Sequence, residues 1–191
     1  MRLNLGCGNR KFPGWVNTDK VAACNPDQVV DLESLPWPWP DDSVEEVMLS
    51  HVLEHLGQAT DVYLGLIKEL YRVCRDGAKI TVIVPHPRHD HFLNDPTHVR
   101  AVTEEGLNMF SQASNRKLMA LGAANTPLGV YMNVDFAIQN VTFDLDDVWL
   151  GKAQRGEVTP ADLQYAKATY SNVVTQTTIL LKAIKPAGRE G

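Results

Sequence analysis

The chain has few cysteines and no long apolar run, and these absences exclude several classes of protein. Its three cysteines among 191 residues show neither paired nor metal-ligand spacing, so no disulfide framework is expected. No apolar run approaches the roughly 18 residues of a membrane-spanning helix. Strand-like sequence begins at Arg2, which leaves no room for a signal peptide. We therefore expect a cytoplasmic protein that does not enter a membrane.

Basic residues are too few for broad electrostatic contact with nucleic acid. The chain carries 18 lysines and arginines against 23 aspartates and glutamates, which gives a net charge of −5. Binding through the phosphate backbone needs clustered positive charge, so nucleic acid is not expected as a partner. The length suits a single domain over residues 1–191.

Short strands alternate with a helix and loops in the first half. Strands are predicted at Arg2–Leu5, 15–18, 28–31, Val44–Ser50 and 79–84. Apolar residues at helical spacing predict a helix over 59–73, followed by a turn at Asp76-Gly77. Tryptophans interleaved with prolines in 36–40 predict an extended loop packed on the sheet. This alternation is typical of a mainly parallel sheet with helices on both faces.

The second half predicts two long strands. Segments 130–143 and 173–184 are rich in Val, Thr and Ile, which favours extended structure. Thr103 followed by two glutamates suits a helix start before the first of these strands.

The connection between those strands, residues 145–171, is longer than a hairpin needs. A helix is predicted to begin at Thr159-Pro160, because proline is tolerated at the first helical position. We expect the segment to be an insertion, either a lid over the site or a contact in a homo-oligomer. Tyr165 and Tyr170 are the residues to test there.

A glycine turn and three strand-end residues predict a nucleoside-containing ligand. Gly6 and Gly8 follow the first strand, which permits a tight turn and close approach of a ligand. Asp19, Asp31 and Ser50 each end a predicted strand, where ligands of open α/β sheets bind. The carboxylates there can accept hydrogen bonds from ribose hydroxyls and an adenine amino group. Taken alone, a Gly-x-Gly pair is as typical of an ordinary turn.

Five pieces of the first half occur in an order that is more specific than any one of them. They are LNLGCG, GWVNTD, VVDLESLPW, VMLSHVLEHL and LIKELYRVCRDGAKITVIVP, within residues 2–85. In this order they resemble the small single-domain members of the class I S-adenosylmethionine-dependent methyltransferase family. The resemblance implies S-adenosyl-L-methionine as cofactor and a Rossmann-like α/β fold. That fold is a seven-stranded, mainly parallel sheet with helices on both faces and the last strand antiparallel.

The resemblance also implies a set of cofactor contacts. The residues are Asn4, Gly6, Cys7, Gly8, Asp19, Asp31, Leu32, Ser50 and His51. Asp19 would bind the ribose, Asp31 and Leu32 the adenine, and the last two residues the methionine portion. Asn4 replaces an acidic residue of many members, and its amide oxygen can still accept from the cofactor's ammonium group. The short segment between Gly8 and Asp19 implies that the first helix is vestigial.

The acceptor side carries no motif of nucleic-acid base methylation. The fourth strand ends in LSHVLEHL rather than in an N/D-P-P-aromatic motif, and no Pro-Cys pair is present. Instead, residues 85–106 contain four of the six histidines, and imidazoles can act as general bases near neutral pH. The D-P-T-H pattern in this stretch resembles related small methyltransferases. We therefore predict that His98, Asp95 and His91 position or deprotonate the acceptor.

Other interpretations of these histidines stay open. His98 could instead cap or pack against the next helix as part of a polar loop. His89, Asp90, His91 and His98 include metal-ligand residue types, but the sequence indicates no geometry, so no metal site is assigned. His55 is expected to be structural.

We predict an S-adenosylmethionine-dependent methyltransferase that methylates a hydroxyl of a small molecule or sugar. One alternative is a catalytically inactive S-adenosylmethionine-binding partner protein. Another is a nucleotide-binding oxidoreductase with a degenerate fingerprint, in which Lys11 replaces the third glycine of G-x-G-x-x-G. A thermal-shift comparison of S-adenosylhomocysteine with NAD separates this second alternative from the prediction.

Overall fold

A computed structural model describes residues 1–188 of the chain. The strands are β1 Arg2–Leu5, β2 Val16–Asp19, β3 Gln28–Val29, β4 Val44–Ser50, β5 Cys74–Pro85, β6 Phe136–Leu145 and β7 Val174–Ala183. The helices are α1 Thr60–Val73, α2 Asp90–Leu93, α3 Glu104–Asn108, α4 Gln112–Ala120, α5 Leu128–Met132, α6 Asp147–Gln154 and α7 Pro160–Thr169. Short 3-10 helices lie at Ala22–Cys24 and Leu53–His55. Within residues 1–188, no helix combines the length and apolar character that a membrane span requires.

The strands form one seven-stranded sheet in the order β3-β2-β1-β4-β5-β7-β6. Strands β1 to β5 are paired in parallel, and β7 is antiparallel to both of its neighbours. The predicted fold class, a mainly parallel sheet with helices and an antiparallel last strand, is confirmed. Because parallel strands point the same way, the turn after β1 and the ends of β2, β3 and β4 share one edge of the sheet.

The predicted strands of the first half are confirmed in place. β1 and β4 have the predicted bounds, β2 is shifted by one residue, and β3 is two residues long. The predicted turn at Asp76-Gly77 is wrong, because α1 ends at Val73 and β5 begins at the next residue. Gly77 instead takes a positive φ of 75° where the register of β4 on β5 shifts between Val44 and Glu46. The positive φ of Gly77 therefore accommodates an irregularity within β5 and does not form a turn between two elements.

Apolar side chains of the central strands and α1 form the core. Those without exposed surface include Leu3, Leu5, Val44, Val47, Val73, Ile80 and Ile179. α1 buries the apolar face that the spacing predicts, so this helix is confirmed. Trp37 and Trp39 are 5% and 4% exposed, which confirms that the aromatic-proline loop packs into the core. The path from β1 to β2 contains no helix, as the short segment between them predicts.

The predicted strand over 130–143 is wrong in its first part. Leu128–Met132 forms α5, and β6 begins only at Phe136. Asn133 ends α5 in the left-handed conformation, with a φ of 54°. The segment 130–143, rich in β-branched residues, therefore contains the end of a helix as well as a strand. Composition alone does not locate the boundary between them. The prediction for 173–184 is confirmed by β7.

Two helices occupy the connection 145–171. Thr159 caps α7 through a capping box with Asp162, which confirms the predicted helix start. α6, at the beginning of the segment, has no counterpart among the predicted helices. A small apolar cluster formed by Ala166, Val173 and Val174 packs with β6 residues and Trp149. That the segment is an insertion or a lid stays a prediction, as does the single domain over 1–191.

Candidate active site

The turn after β1 brings the backbone close to the residues that follow β4. Gly6 and Gly8 have positive φ angles of 64° and 48°, which glycine adopts without strain. A Cβ atom on Gly6 would lie 2.5 Å from Val52 Cγ2, so a side chain does not fit there. The Cys7 amide donates to the Thr18 carbonyl at 2.8 Å and joins the turn to β2. The predicted glycine turn therefore forms, with Gly6 packed against Val52 and no atom within 4 Å of the Cβ position of Gly8.

Two carboxylates lie beside this turn. Asp19 Oδ2 accepts a hydrogen bond from the Gly8 amide at 2.8 Å, and Oδ1 accepts from the Val21 amide at 2.9 Å. Asp31 follows β3, and its Oδ1 accepts from the Glu33 amide at 3.0 Å. Local backbone amides thus orient both carboxylates at neighbouring strand ends.

Leu32 is held in place by the tryptophan loop. Trp37 Nε1 donates to the Leu32 carbonyl at 2.9 Å. Glu69 accepts from the Trp37 amide at 2.6 Å and from Arg72 Nη2 at 2.6 Å. Hydrogen bonding from Arg72 lowers the pKa of Glu69, with a smaller effect from the Trp37 amide, against the opposing effect of burial. An ionised network on α1 therefore supports the position of Leu32.

A cavity lies beyond the ends of β1 to β4, and we call it the strand-end cavity. Its lining residues are Gly6, Asp19, Lys20, Val30, Asp31, Leu32, His51, Val52, His55 and Leu56. The lining includes five residues predicted to contact the cofactor, namely Gly6, Asp19, Asp31, Leu32 and His51. Backbone, carboxylates and apolar side chains therefore meet at the edge where the sequence predicts a nucleoside.

The other four residues predicted to contact the cofactor lie outside that lining. Asn4 is buried, and its Nδ2 donates to the Arg10 carbonyl at 2.8 Å. Cys7 is buried in the turn, and burial raises the pKa of its thiol. Gly8 lies in the same turn, and Ser50 is the last residue of β4. Contacts of these four residues with a cofactor stay predictions.

His51, directly after β4, is held in an uncommon conformation. Its φ of 55° lies in the left-handed region, which few residues other than glycine adopt. Its Nδ1 lies 3.4 Å from Glu54 Oε1, and its Nε2 lies 3.2 Å from Gln176 Oε1. The Glu54 carboxylate raises the pKa of His51, while partial burial acts in the opposite direction. A carboxylate and an amide from β7 thus fix this imidazole.

A second, open cavity of about 630 Å³ adjoins the first, and we call it the histidine cavity. Its lining residues are His51, His55, Pro85, His91, Asp95, His98, Asp146, Asp147, Thr175 and Gln176. The structure therefore brings together the three residues predicted for the acceptor side, His91, Asp95 and His98. His51 and His55 line both cavities, so the two spaces meet at these side chains.

His98 is fixed on the histidine cavity by its ring contacts. Its Nδ1 lies 2.8 Å from the Phe92 carbonyl oxygen, and its ring stacks on the Phe92 ring at 5.2 Å. The His55 ring meets it edge-on, with centroids 4.6 Å apart. Its Nε2 lies 3.7 Å from Asp95 Oδ2. His98 therefore packs within the site and has one ring nitrogen directed to a backbone acceptor.

Asp95 and His91 are held differently. Asp95 Oδ1 accepts from the Thr97 amide at 2.8 Å and from its hydroxyl at 2.6 Å, which lowers the pKa of the Asp95 carboxyl. The His91 ring lies edge-on to the His89 ring at 4.2 Å. His89 Nε2 in turn lies 3.4 Å from Asp146 Oδ2, at the start of α6. The neighbouring histidine His89 is thus directed to α6.

Three residues that line the histidine cavity or lie beside it, Glu54, Gln176 and Asp146, have no place in the predicted site. Glu54 is fully buried, and its spacing in His51-x-x-Glu54-His55 is the local signal that could have found it. Gln176 lies 125 residues from His51 in the chain and approaches it only through the pairing of β7 with β5. Asp146 is the N-cap residue of α6, a helix that the sequence did not predict. No local motif marks Gln176 or Asp146.

Most of the similar solved structures are named as methyltransferases. No protein-family model and no curated protein sequence matches the chain. A SAM-dependent methyltransferase from Archaeoglobus fulgidus is similar with a TM-score of 0.62 and 18% identity, over 95% of this chain and 85% of that one. A SAM-dependent methyltransferase from Methanosarcina mazei has a TM-score of 0.52 and 15% identity, over 96% and 92%. The [4+2]-cyclase SpnF has a TM-score of 0.50 and 15% identity, over 96% and 74%.

The cyclase indicates that this fold serves more than one reaction, so the reaction must be argued from the site. The strand order and the antiparallel last strand agree with the fold that the sequence resemblance implies. The chain therefore has the Rossmann-like fold of the class I S-adenosylmethionine-dependent methyltransferases.

Proposed function

We propose that the protein is an S-adenosylmethionine-dependent methyltransferase that methylates a hydroxyl of a small molecule or sugar. The observation that carries the proposal is the meeting of the strand-end cavity and the histidine cavity at His51 and His55. The first cavity suits a nucleoside-containing cofactor, and the second suits a polar acceptor. Two adjoining sites are what group transfer between two bound molecules requires.

The residues of the strand-end cavity fit the cofactor. Gly6 lines the cavity with backbone and no side chain, and Val52 packs against it. Asp19 and Asp31 offer acceptor oxygens to ribose hydroxyls and to an adenine amino group. Leu32 offers an apolar surface to the adenine ring, and His51 is assigned to the methionine portion. The remaining assignments, to Asn4, Cys7, Gly8 and Ser50, follow the family resemblance.

The histidine cavity supplies the acceptor side. When bound, S-adenosylmethionine supplies a methyl group activated by the sulfonium charge, and S-adenosylhomocysteine remains after transfer. The acceptor oxygen gains the methyl group and loses its proton, while the electron pair of the broken bond stays on sulfur. We assign His98, Asp95 and His91 to position the hydroxyl and to favour loss of its proton. The Phe92 carbonyl and ring keep His98 in one orientation for this role.

The geometry favours this function over the two alternatives. Dinucleotide-binding sheets have the order 3-2-1-4-5-6, whereas this sheet inserts an antiparallel β7 between β5 and β6. A nucleotide-binding oxidoreductase is therefore disfavoured. An inactive S-adenosylmethionine-binding partner protein would need no second cavity, so the histidine cavity favours an enzyme. A cytoplasmic location and a homo-oligomer formed through 145–171 remain predictions.

Methyl transfer from deuterium-labelled S-adenosylmethionine tests the proposal. The full-length protein is incubated with acceptors grouped by the accepting atom: sugars, phenols, carboxylates, amines and thiols. We expect S-adenosylhomocysteine to form, and one labelled methyl group to appear on a hydroxyl acceptor. Transfer to an amine or thiol instead contradicts the hydroxyl assignment. Tight S-adenosylhomocysteine binding without transfer to any acceptor supports the inactive alternative.

The role of His98 is tested with the acceptor that this screen identifies. His98→Gln should lower the transfer rate by about 10²–10⁴-fold, the usual contribution of a group that assists proton loss. Its affinity for S-adenosylhomocysteine should stay unchanged, because His98 does not line the strand-end cavity. His86→Gln, in the same segment but outside both linings, is the matched control. A loss below tenfold leaves His98 with a packing role only.

A further inference from the structure

Glu54 is a buried carboxylate that has no hydrogen-bond partner. It lies in the 3-10 helix Leu53–His55 and is 0% exposed. Neither Oε1 nor Oε2 has a hydrogen bond, and His51 Nδ1 lies 3.4 Å from Oε1, outside hydrogen-bonding geometry. The half-exposed His51 is the ion-pair partner of Glu54 when its ring is protonated, but a buried carboxylate is normally hydrogen-bonded as well, or bound to a metal. The Glu54 carboxylate therefore has free acceptor capacity for a cation.

The hydrogen bonds around the neighbouring His55 show which of its two ring nitrogens carries the proton and which has a free lone pair. Its Nδ1 lies 2.9 Å from Thr97 Oγ1. That hydroxyl donates its one proton to Asp95 Oδ1 at 2.6 Å, so it can only accept from His55. Nδ1 of His55 must therefore carry the proton. In the neutral ring, Nε2 then has an unprotonated lone pair.

The same reasoning assigns a free lone pair to His98. Its Nδ1 lies 2.8 Å from the Phe92 carbonyl oxygen, which can only accept, so Nδ1 carries the proton. Nε2 of the neutral ring is unprotonated, and Asp95 Oδ2, 3.7 Å away, is too far to accept a hydrogen bond from it. The stack with Phe92 and the edge-on contact with His55 hold the ring in this orientation.

These three side chains converge. One ligand atom from each of Glu54, His55 and His98 lies within 4.8 Å of the other two. Among residues 1–188, this is the one group of three or more such side chains close enough to hold a metal ion. His89, Asp90 and His91, which the sequence offers as ligand types, do not belong to it. The converging set therefore differs from the one that the histidine-rich stretch suggests.

We propose that Glu54, His55 and His98 form a binding site for a divalent first-row transition-metal ion such as zinc. Two imidazole nitrogens and one carboxylate are a ligand set that zinc takes in catalytic sites, whereas magnesium and calcium prefer oxygen ligands. Tetrahedral ligands stand about 3.4 Å apart, so the three side chains would close slightly on the ion. The Phe92 carbonyl and the Thr97–Asp95 pair supply the outer hydrogen bonds that orient metal-binding histidines.

The location gives such an ion a role. His55 and His98 line the histidine cavity, and three protein ligands leave a coordination position for water or an acceptor oxygen. A bound cation lowers the pKa of an oxygen it coordinates. His98 would then favour proton loss from the acceptor through the ion. This role rests on the proposed function, whereas the metal site itself rests only on the three side chains.

Calorimetric titration of the metal-free, full-length protein with zinc tests the site. We expect one zinc ion to bind, and magnesium to bind at least about 100-fold more weakly. Glu54→Gln and His98→Gln should each weaken zinc binding by at least about tenfold. The matched control His86→Gln, a histidine outside the group, should bind zinc as the parent does. Absence of zinc binding by the parent, or equal binding by all variants, overturns the proposal.

Thermal unfolding supplies a second readout that does not depend on activity. The metal-free Glu54→Gln variant is first compared with the metal-free parent, because the change also removes the pairing of Glu54 with His51. Zinc should raise the unfolding temperature of the parent and not that of this variant. A zinc-induced rise that persists in both Glu54→Gln and His98→Gln overturns the site.

S-adenosylhomocysteine binding separates this proposal from the proposed function. Zinc binding without S-adenosylhomocysteine binding would leave the metal site standing and contradict the methyltransferase. S-adenosylhomocysteine binding without zinc binding would contradict the metal site and leave the methyltransferase proposal standing. In an active preparation, removal of the ion by a chelator should abolish transfer, and zinc should restore it. Unchanged transfer by the chelated, zinc-free protein contradicts the ion's role.

Discussion

Gly6 and Val52 are so close that a Cβ atom on Gly6 would lie 2.5 Å from Val52 Cγ2. This approach joins the turn after β1 to the residues that follow β4. Both residues line the strand-end cavity. The shape of that cavity therefore depends on the absence of a side chain at position 6.

Gly6→Ala should lower the free energy of unfolding by about 2–4 kcal/mol. The estimate combines the cost of a left-handed φ for alanine with the cost of overpacking against Val52. Gly8→Ala is the matched control, because its φ is also positive but no atom lies within 4 Å of its Cβ position. Urea denaturation measures both, and the control should lose only about 1–2 kcal/mol.

A second substitution isolates the contact. Val52→Ala should relieve part of the overlap, so Gly6→Ala and Val52→Ala together should cost less than the sum of the single changes. Additive costs, or equal losses in Gly6→Ala and Gly8→Ala, would show that the approach of Gly6 to Val52 is not tight.

Stability at acid pH should depend on Glu69. Arg72 and the Trp37 amide lower the pKa of Glu69 in the folded state, so its contribution is present at neutral pH. This contribution to the free energy of unfolding is lost as the pH falls from the ordinary pKa of glutamate toward the lowered pKa of Glu69. The parent should therefore lose more unfolding free energy between about pH 6 and pH 3 than Glu69→Gln does.

Chemical denaturation across that pH range measures the difference. The exposed Glu105→Gln is the matched control and should show the parent's pH dependence. Parallel curves for the parent and Glu69→Gln would contradict the assigned role of the Glu69–Arg72 pair.

Trp37→Phe should weaken the binding of S-adenosylhomocysteine as well as the fold. The change removes the indole donor to the buried Leu32 carbonyl, which costs about 1–3 kcal/mol of unfolding free energy. Leu32 lines the strand-end cavity, so ligand affinity should fall too.

Trp39→Phe separates these two effects. Trp39 is as buried as Trp37, but its indole donates to Gln28 Oε1 at 3.0 Å. The Trp39→Phe variant should lose less stability, because the exposed Gln28 can bond water instead, and it should keep the parent's ligand affinity, measured by calorimetry. Equal loss of affinity in both variants would show that Leu32 is not specifically involved.

The sequence predicts the parts of the fold whose apolar pattern is strong. β1, β4, β7 and α1 bury apolar residues at the expected period, so their positions follow from the pattern. α4 buries only Gln112 and Asn115, which are polar, and so it has no apolar period to detect. The boundary of α5 and β6 depends on the left-handed Asn133, which local composition does not fix.

The residues of the strand-end cavity could be predicted from the sequence more completely than those around the histidine cavity. Gly6, Asp19 and Asp31 are predictable because neighbouring parallel strands end at one edge. Gln176 reaches His51 from 125 residues away, through an antiparallel strand whose partner the sequence does not specify. The absence of a hydrogen bond to either Glu54 carboxylate oxygen depends on what surrounds them in three dimensions, so only the structure reveals it.

Isothermal titration of the full-length protein with S-adenosylhomocysteine, beside NAD, tests the central claim most directly. We expect S-adenosylhomocysteine to bind at one site and NAD not to bind. Asp31→Ala and Asp19→Ala should each weaken binding by about 1–3 kcal/mol, because each removes an acceptor for the nucleoside. The exposed Asp61→Ala, outside the strand-end cavity, should bind as the parent does. Preference for NAD, or unchanged affinity in both Asp31→Ala and Asp19→Ala, would contradict the account.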